Sequence, residues 1–129
     1  MTDNRGVSRI LVVEDEFLIA EDIAMTLGDL AFDVVGPAPT VGAALALIDR
    51  EAPDLAVIDL NLDGESSAPV AEALRARGVP YILASGYDCG QLDEHLLEGV
   101  ARITKPFSST DLAKAIDEAL SNRAELQAE

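Results

Sequence analysis

Five short apolar runs alternate with five segments of helical apolar spacing, and this alternation limits the possible folds more than any other feature. The apolar runs predict strands at residues 9–13, 33–36, 55–59, 80–85 and 100–104. The third run is uninterrupted, which is typical of a strand that is buried on both faces. Strands that alternate with helices predict an α/β fold, in which helices cover both faces of a parallel sheet.

Right-handed crossovers leave few topologies for five such strands, and the flavodoxin-like strand order 2-1-3-4-5 is favoured. Ligands of these folds bind outside the carboxyl ends of the strands, where strands 1 and 3 lie side by side. The length of 129 residues predicts a single domain over residues 1–129. Its core is expected at about residues 8–121, followed by a polar tail at 122–129 that frays past Asn122. The polar tail and Met1 favour a complete gene product.

Each helical segment has apolar residues three or four positions apart, as in a helix that packs one face on a sheet. We expect Thr40 to cap the second helix, Gly78 to end the third, and Ser108 or Ser109 to cap the fifth. Residues 61–67 are predicted to form a polar loop, and residues 88–98 only a weak fourth helix. The predicted core faces are Ile19, Ile23, Leu27 and Leu30; Val41, Leu45 (with Ala44), Ile48 and Ala52; Val70, Ala73 and Leu74; and Leu112, Ala115 (or Ile116), Ala119 and Leu120.

Four of the predicted strands end in polar or charged residues, which a parallel sheet would bring to one edge. These residues are Glu14 and Asp15, Asp59, Ser85, and Lys105. Three carboxylates on neighbouring strands repel one another, so each pKa would be raised. A hard divalent cation relieves the repulsion, and Mg²⁺ is the usual one.

A bound Mg²⁺ also favours a phosphoryl group, because the cation neutralises charge on the transferred oxygens. Asp59 is then a candidate nucleophile, since carboxylates form aspartyl phosphates. Lys105 would supply a second cation and Ser85 a hydroxyl donor. We therefore hypothesise in-line transfer of a phosphoryl group to Asp59.

The same residues carry a family resemblance over about residues 8–121. The set Glu14-Asp15, Asp59, Ser85 and Lys105-Pro106-Phe107 resembles that of the receiver domains of two-component response regulators. This resemblance implies that Asp59 accepts phosphate from a histidine kinase or a histidine phosphotransfer protein. The resemblance also implies that the protein is a switch that phosphorylates and dephosphorylates itself, and that it is not an enzyme with a separate substrate.

The resemblance also implies a role for each site residue. Asp15, Asp59 and the backbone carbonyl of Asn61 would ligate Mg²⁺, and Glu14 would act through a metal-bound water. Lys105 would bind one phosphoryl oxygen, and Ser85 would move toward another. The Lys105-Pro106 peptide would be cis, which is uncommon even before proline.

Residues 81–87 resemble a subgroup of stand-alone receivers that have a Phe-Ala-Thr-Gly-Tyr-like motif at this strand. In that subgroup the fourth helix is often short or disordered. Such receivers act by protein contact or by passing phosphate on. The expected output face consists of helix 4, strand 5 and helix 5. Arg102 departs from the family pattern, because the family usually has Tyr or Phe three residues before the lysine.

The net charge is −15, from 24 acidic residues against 9 Lys and Arg. This argues against nucleic acid as a direct partner, because duplex binding needs basic residues to neutralise phosphates. The lone Cys89 excludes an internal disulfide and fits a reducing compartment. No apolar run approaches the ~20 residues of a membrane span, and no signal-type segment follows the polar N-terminus. We expect a cytoplasmic protein without a membrane partner.

Several other functions use acidic residues on similar sheets. A metal-dependent nuclease or topoisomerase-type module resembles Glu plus Asp-x-Asp, but the second Asp is Asn61 here. A haloacid-dehalogenase-like phosphatase would need an Asp at the position of Asn61 as its general acid, and this chain lacks it. An FMN-binding flavodoxin would have a phosphate loop where Glu14-Asp15-Glu16 stand. A receiver-shaped interaction module that is never phosphorylated stays open as an alternative.

Overall fold

The chain alternates strands and helices in the computed structural model, which describes residues 8–85, 94–98 and 100–127. The elements in chain order are β1 (Arg9–Val13), α1 (Phe17–Asp29), β2 (Asp33–Ala38), α2 (Val41–Glu51), β3 (Leu55–Asp59), β4 (Asn61–Leu62), β5 (Glu65–Ser66), α3 (Ala68–Ala76), β6 (Tyr81–Ser85), α4 (Glu94–Leu97), β7 (Ala101–Thr104) and α5 (Ser109–Gln127).

Five strands form one parallel sheet in the order β2-β1-β3-β6-β7. Counted without the short β4 and β5, this is the predicted order 2-1-3-4-5, and the α/β fold class is confirmed. The central strands β1 and β3 pair in register, with Val13 opposite Ile58. Their carboxyl ends therefore lie side by side at one edge of the sheet.

The sheet separates two apolar clusters, because successive side chains of a strand point to opposite faces. In β3, Ala56 and Ile58 pack with residues of α2 and α3, whereas Leu55 and Val57 pack with residues of α1 and α5. All five residues of β3 are buried. This explains why the third run is apolar on both faces up to Asp59.

The predicted end of β2 at Gly36 is wrong, because the strand continues to Ala38. β2 is an edge strand, where proline is tolerated since one side of the strand lacks a hydrogen-bonding neighbour. Gly36 adopts φ +94°, and a Cβ there would lie 2.8 Å from the backbone nitrogen of Ala38. Both Gly36-Pro37 and Lys105-Pro106 are cis peptides, and the second was predicted.

The predicted loop at residues 61–67 contains a small hairpin, formed by β4 and β5. Asp63 and Gly64 connect the two strands with φ values of 52° and 85°. Positive φ at both central residues is the requirement of a type I′ turn, which Asp-Gly favours. Leu62 is 2% exposed and fixes the hairpin to the α2/α3 side of the sheet.

The helices bury the expected stripes with a few differences. Ala52 is wrong as a core residue, because it is exposed and ends α2 in the left-handed conformation at φ 47°. Ile19, Leu30, Leu45 and Ala73 are only partly buried, whereas Ala20 and Ala71 are buried in addition to the predicted residues.

Two helices, α2 and α5, have the hydroxyl caps that the sequence predicts. Thr40 Oγ1 accepts a hydrogen bond from the Ala43 amide at 3.1 Å. At α5 the cap is Ser108, whose Oγ accepts from the Asp111 amide at 3.1 Å, while Asp111 Oδ2 accepts from the Ser108 amide at 3.0 Å.

The last two helices depart from their predicted lengths. Of the predicted helix at 88–98, residues 94–97 are helical, and residues 86–93, which include Cys89, lie outside the described part of the chain. The expected fraying past Asn122 is wrong, because α5 continues to Gln127. This segment has no Gly or Pro, and it contains the good helix formers Ala, Glu and Leu. None of the helices in the described residues is long and apolar enough to cross a bilayer.

Candidate functional site

Backbone hydrogen bonds continue past the strand ends and fix the residues at the carboxyl edge. The Glu14 amide donates to the Ala38 carbonyl at 3.0 Å, and the Leu60 amide donates to the Ala84 carbonyl at 3.0 Å. The Lys105 amide donates to the Ser85 carbonyl at 2.7 Å. The first residues after β1, β3 and β7 are therefore held by the neighbouring strands of the sheet.

Three carboxylates meet at this edge. One oxygen each of Glu14, Asp15 and Asp59 lies within 4.8 Å of the other two. Glu14 is 2% exposed and Asp59 is 7% exposed, while Asp15 is half-buried. The pairing of β1 with β3 explains the cluster, because Glu14 and Asp59 each follow one member of the Val13–Ile58 pair.

Lys105 reaches this cluster from the far side of β6. Its Nζ donates a hydrogen bond to Asp59 Oδ2 at 3.1 Å and lies 2.7 Å from Glu14 Oε1. Burial acts to lower the pKa of the Lys105 ammonium, but the carboxylates of Glu14 and Asp59 outweigh it and raise that pKa above its ordinary value. The side chain therefore remains a cation between two buried acids.

The buried carboxyl of Glu14 has a raised pKa. Burial raises the pKa of its carboxyl to about 6, with a contribution from the charge of Asp59, while Lys105 and the Glu16 amide act in the opposite direction. The Glu16 amide donates to Glu14 Oε2 at 3.1 Å. Glu14 Oε1 lies 2.7 Å from the Lys105 ammonium, which is its charged partner among the described residues.

The donor set fits a hard divalent cation. Three carboxylates face one ammonium, so two negative charges remain unbalanced when all four groups are ionised. The oxygen atoms of carboxylates are the ligands that Mg²⁺ prefers, and Glu14 Oε1 is a buried oxygen with acceptor capacity left. Asn61 begins β4 two residues after Asp59, and its carbonyl as a ligand stays a prediction.

Ser85 ends β6 next to the cluster and is 9% exposed. Its neighbour Ala84 lies opposite Asp59 in the pairing of β6 with β3. The structure thus brings Glu14, Asp15, Asp59, Ser85 and Lys105 to one edge, as the sequence predicted, while the chemical role of each stays a prediction.

Two features near the site were missed in the sequence. Ser67 is completely buried, and its hydroxyl donates to the Leu60 carbonyl at 3.3 Å. The residues Phe17, Leu18 and Met25 of α1 are 71%, 79% and 70% exposed. The buried position of Ser67 depends on the hairpin, which the Asp63-Gly64 pair could have indicated. The exposed apolar residues of α1 are hard to recognise in the sequence because α1 also has a regular core stripe.

Arg102 lies on β7 between the buried residues Ala101 and Ile103, and it is exposed. Strand alternation directs it away from the α1/α5 cluster, to which both neighbours belong. Its guanidinium forms no ion pair with any residue that the structure describes. An exposed cation therefore stands where receivers usually have an aromatic residue.

The chain is similar to known proteins over almost its whole length. The family model of the response regulator receiver domain matches residues 10–117. PdtaR, a transcriptional regulatory protein of Mycobacterium tuberculosis, is 29% identical over 123 residues, which cover 93% of this chain and 60% of PdtaR. The positive alginate biosynthesis regulatory protein of Pseudomonas aeruginosa is 34% identical over 124 residues, which cover 92% of this chain and 50% of that protein. The chain therefore spans about half to three-fifths of the length of these curated relatives.

Among solved structures, SdrG from Sphingomonas melonis Fr1 is 38% identical with a TM-score of 0.79, and the match covers 92% of this chain and 99% of SdrG. SdrG has also been solved in a BeF3-activated conformation, which is 37% identical with a TM-score of 0.74 and covers 88% of this chain and 97% of that one.

Replacing Lys105 by Met should destabilise the protein, because it leaves Glu14 and Asp59 buried without their common cation. We expect a loss of about 2 kcal/mol in the free energy of unfolding, measured with urea at pH 8 in the presence of EDTA. Lys114→Met is the matched control, since Lys114 is exposed on α5 and should change stability by less than about 0.5 kcal/mol. Equal unfolding midpoints for the two variants would contradict the charge balance described above.

Proposed function

The chain belongs to the response regulator receiver domain family, and from this membership we propose that it is a phosphorylation switch whose phosphoacceptor is Asp59. The observation that carries the proposal is the cluster at the carboxyl edge, where Lys105 contacts the Asp59 carboxylate and two further acids lie within reach. Asn61 in place of a second Asp, together with the family match over residues 10–117, favours a phosphoacceptor over the nuclease and phosphatase alternatives. We take residues 1–129 as one receiver domain with a core at about 8–121.

In the proposed reaction, a carboxylate oxygen of Asp59 forms a bond to phosphorus while the N–P bond of a phosphohistidine breaks. The donor imidazole keeps the electron pair of that bond. Lys105 then pairs with a phosphoryl oxygen, since its ammonium already lies 3.1 Å from Asp59 Oδ2. The Ser85 hydroxyl donates to another oxygen. Water later attacks the phosphorus of the aspartyl phosphate, the O–P bond to Asp59 breaks, and inorganic phosphate leaves while the Asp59 carboxylate is restored. The switch is therefore self-limiting, and no separate substrate is turned over.

Mg²⁺ is the proposed cofactor, and it supplies neutralisation of the phosphoryl charge when it is bound. Asp15, Asp59 and the Asn61 carbonyl would hold it directly. Glu14 would act through a metal-bound water, which suits its buried oxygen with unused acceptor capacity. Lys105 alone leaves the three carboxylates under-neutralised, so a divalent cation improves the charge balance before phosphate arrives.

We propose that the phosphodonor, a histidine kinase or a histidine phosphotransfer protein, docks on α1. Phe17 and Leu18 follow directly after Asp15-Glu16, and they are the largest exposed apolar side chains next to the cluster. Helix α1 has no basic residue, and its acids Glu21, Asp22 and Asp29 are exposed. A donor surface that is apolar with a basic rim would complement this side of the domain.

The output of the switch is proposed to be protein contact or onward phosphotransfer in the cytoplasm, as for stand-alone receivers. Phosphate would bias an existing two-state equilibrium of the face formed by α4, β7 and α5. Arg102 lies exposed on that face and supplies a charge instead of an aromatic ring. A downstream protein that binds this face would then recognise a cation at position 102.

Incubation with acetyl phosphate and Mg²⁺ should add one phosphoryl group, which is detected by intact mass spectrometry. The adduct should require Mg²⁺ and disappear in Asp59→Asn, because the nucleophilic oxygen is lost. Asp63→Asn is the matched control, since Asp63 is exposed in the hairpin turn and Asn tolerates its positive φ. An adduct that persists in Asp59→Asn, or that forms equally in EDTA, would refute the proposed chemistry.

Leu18→Arg should slow phosphotransfer from a protein donor about tenfold or more, because it removes an apolar contact and buries a charge at the interface. The donor is the phosphorylated histidine protein that reacts fastest with the wild type in a screen. The rate with acetyl phosphate should not change, since this small donor does not need the docking surface. Ala46→Arg on the exposed side of α2 should leave both rates unchanged. Equal slowing with both donors would show that Leu18 supports the site and not docking.

A further inference from the structure

One buried polar residue has no part in the proposed chemistry. Four polar or charged residues are buried in the described part of the chain: Glu14, Asp59, Ser67 and Ser85. Three of them are proposed site residues, and the fourth, Ser67, is 0% exposed. A buried hydroxyl requires a hydrogen-bond partner, so the position of that partner indicates what Ser67 does.

The hydroxyl of Ser67 does not cap a helix, although Ser67 stands at the N-cap position of α3. A serine at an N-cap usually accepts a hydrogen bond from an amide of the first helical turn, and Ser67 Oγ makes no such bond. Instead, Ser66 Oγ accepts from the Ala68 amide at 3.1 Å. The Ser67 hydroxyl is directed back toward the sheet, where it donates to the Leu60 carbonyl at 3.3 Å.

Leu60 is therefore held on both sides of its backbone. Its amide donates to the Ala84 carbonyl of β6 at 3.0 Å, and its carbonyl accepts from Ser67. The Leu60 side chain is 2% exposed, so it is also fixed by packing. Because Leu60 separates Asp59 from Asn61, these contacts fix the Leu60–Asn61 peptide and with it the position of the Asn61 Cα, to which the Asn61 carbonyl is attached.

The hairpin leaves the carbonyl of Asn61 available. Leu62 and Glu65 flank the two-residue turn, and Asn61 lies opposite Ser66 as the next pair. In an antiparallel ladder, pairs that exchange backbone hydrogen bonds alternate with pairs that do not. The pair next to a two-residue turn exchanges them, so Asn61 belongs to a pair whose carbonyls point away from the hairpin.

We propose that Ser67 is a positioning residue that presets the Asn61 carbonyl for the divalent cation. This inference rests on the proposed function, because it uses the Mg²⁺ site at Asp15, Asp59 and Asn61. Ser67 does not touch the cation and acts through the Leu60–Asn61 peptide. A ligand that is already oriented loses less freedom on binding, and partners that orient metal ligands contribute strongly to metal affinity.

The test is a Mg²⁺ titration of the full chain without phosphate. Binding is monitored through the amide chemical shifts in NMR spectra. Ser67→Ala should raise the dissociation constant of Mg²⁺ about tenfold. In the metal-free protein it should also shift the carbonyl ¹³C resonance of Leu60. The matched control is Ser66→Ala, which removes the α3 cap from the neighbouring residue but leaves the contact with Leu60.

An unchanged dissociation constant of Mg²⁺ in Ser67→Ala would overturn the inference. An equal increase of the dissociation constant in Ser66→Ala would also overturn it, because a disturbed start of α3 would then be the cause. If Ser67→Ala does not fold, Ser67→Cys retains a weaker donor and should weaken Mg²⁺ binding in the same direction; unchanged binding would again overturn the inference. A wild type that binds no Mg²⁺ would refute the proposed function itself. Equal Mg²⁺ affinity of the wild type and Ser67→Ala would refute only the role of Ser67 and would leave the proposed function standing.

Discussion

The ammonium of Lys105 lies between the buried carboxylates of Glu14 and Asp59, and the carboxyl edge depends on this contact. Parallel pairing of β1 and β3 brings the two acids together, because Glu14 directly follows β1 and Asp59 is the last residue of β3. Burial raises the pKa of Glu14, and Lys105 opposes that shift. Lys105 contacts both carboxylates, and with Asp15 the edge keeps a negative excess that a hard cation can balance.

The backbone around this contact is fixed by the sheet and not by the acids. Residues 14, 60 and 105 each donate an amide hydrogen bond to a neighbouring strand just beyond the regular pairing. The hairpin at residues 61–66 adds a second constraint after Asp59, and Ser67 connects it to the start of α3. A site of crowded charges is thereby built on rigid elements, which reduces the reorganisation that a phosphoryl group would require.

The sequence predicted those parts of the fold that depend on local pattern and on parallel topology. The apolar runs located β1 and β3, and the polar residue after each strand identified the members of the cluster. The end of β2 was wrong because an edge strand accepts Pro37, which would end a central one. Ala52 was wrong because a helical stripe does not show where the chain turns into the left-handed conformation. The Asp63-Gly64 pair could have indicated the hairpin, but the hydrogen bond from Ser67 to Leu60 was not predictable, since it depends on tertiary packing.

The proposed switch requires this edge to bind Mg²⁺ and a phosphoryl group together at Asp59. A crystal structure of the chain with Mg²⁺ and BeF3⁻ tests it most directly, because it locates both species and every ligand. We expect BeF3⁻ on a carboxylate oxygen of Asp59, in contact with Lys105 and the Ser85 hydroxyl. We expect Mg²⁺ on Asp15, Asp59 and the Asn61 carbonyl. A cation held away from Asp59, or an anion bound without it, would contradict the account.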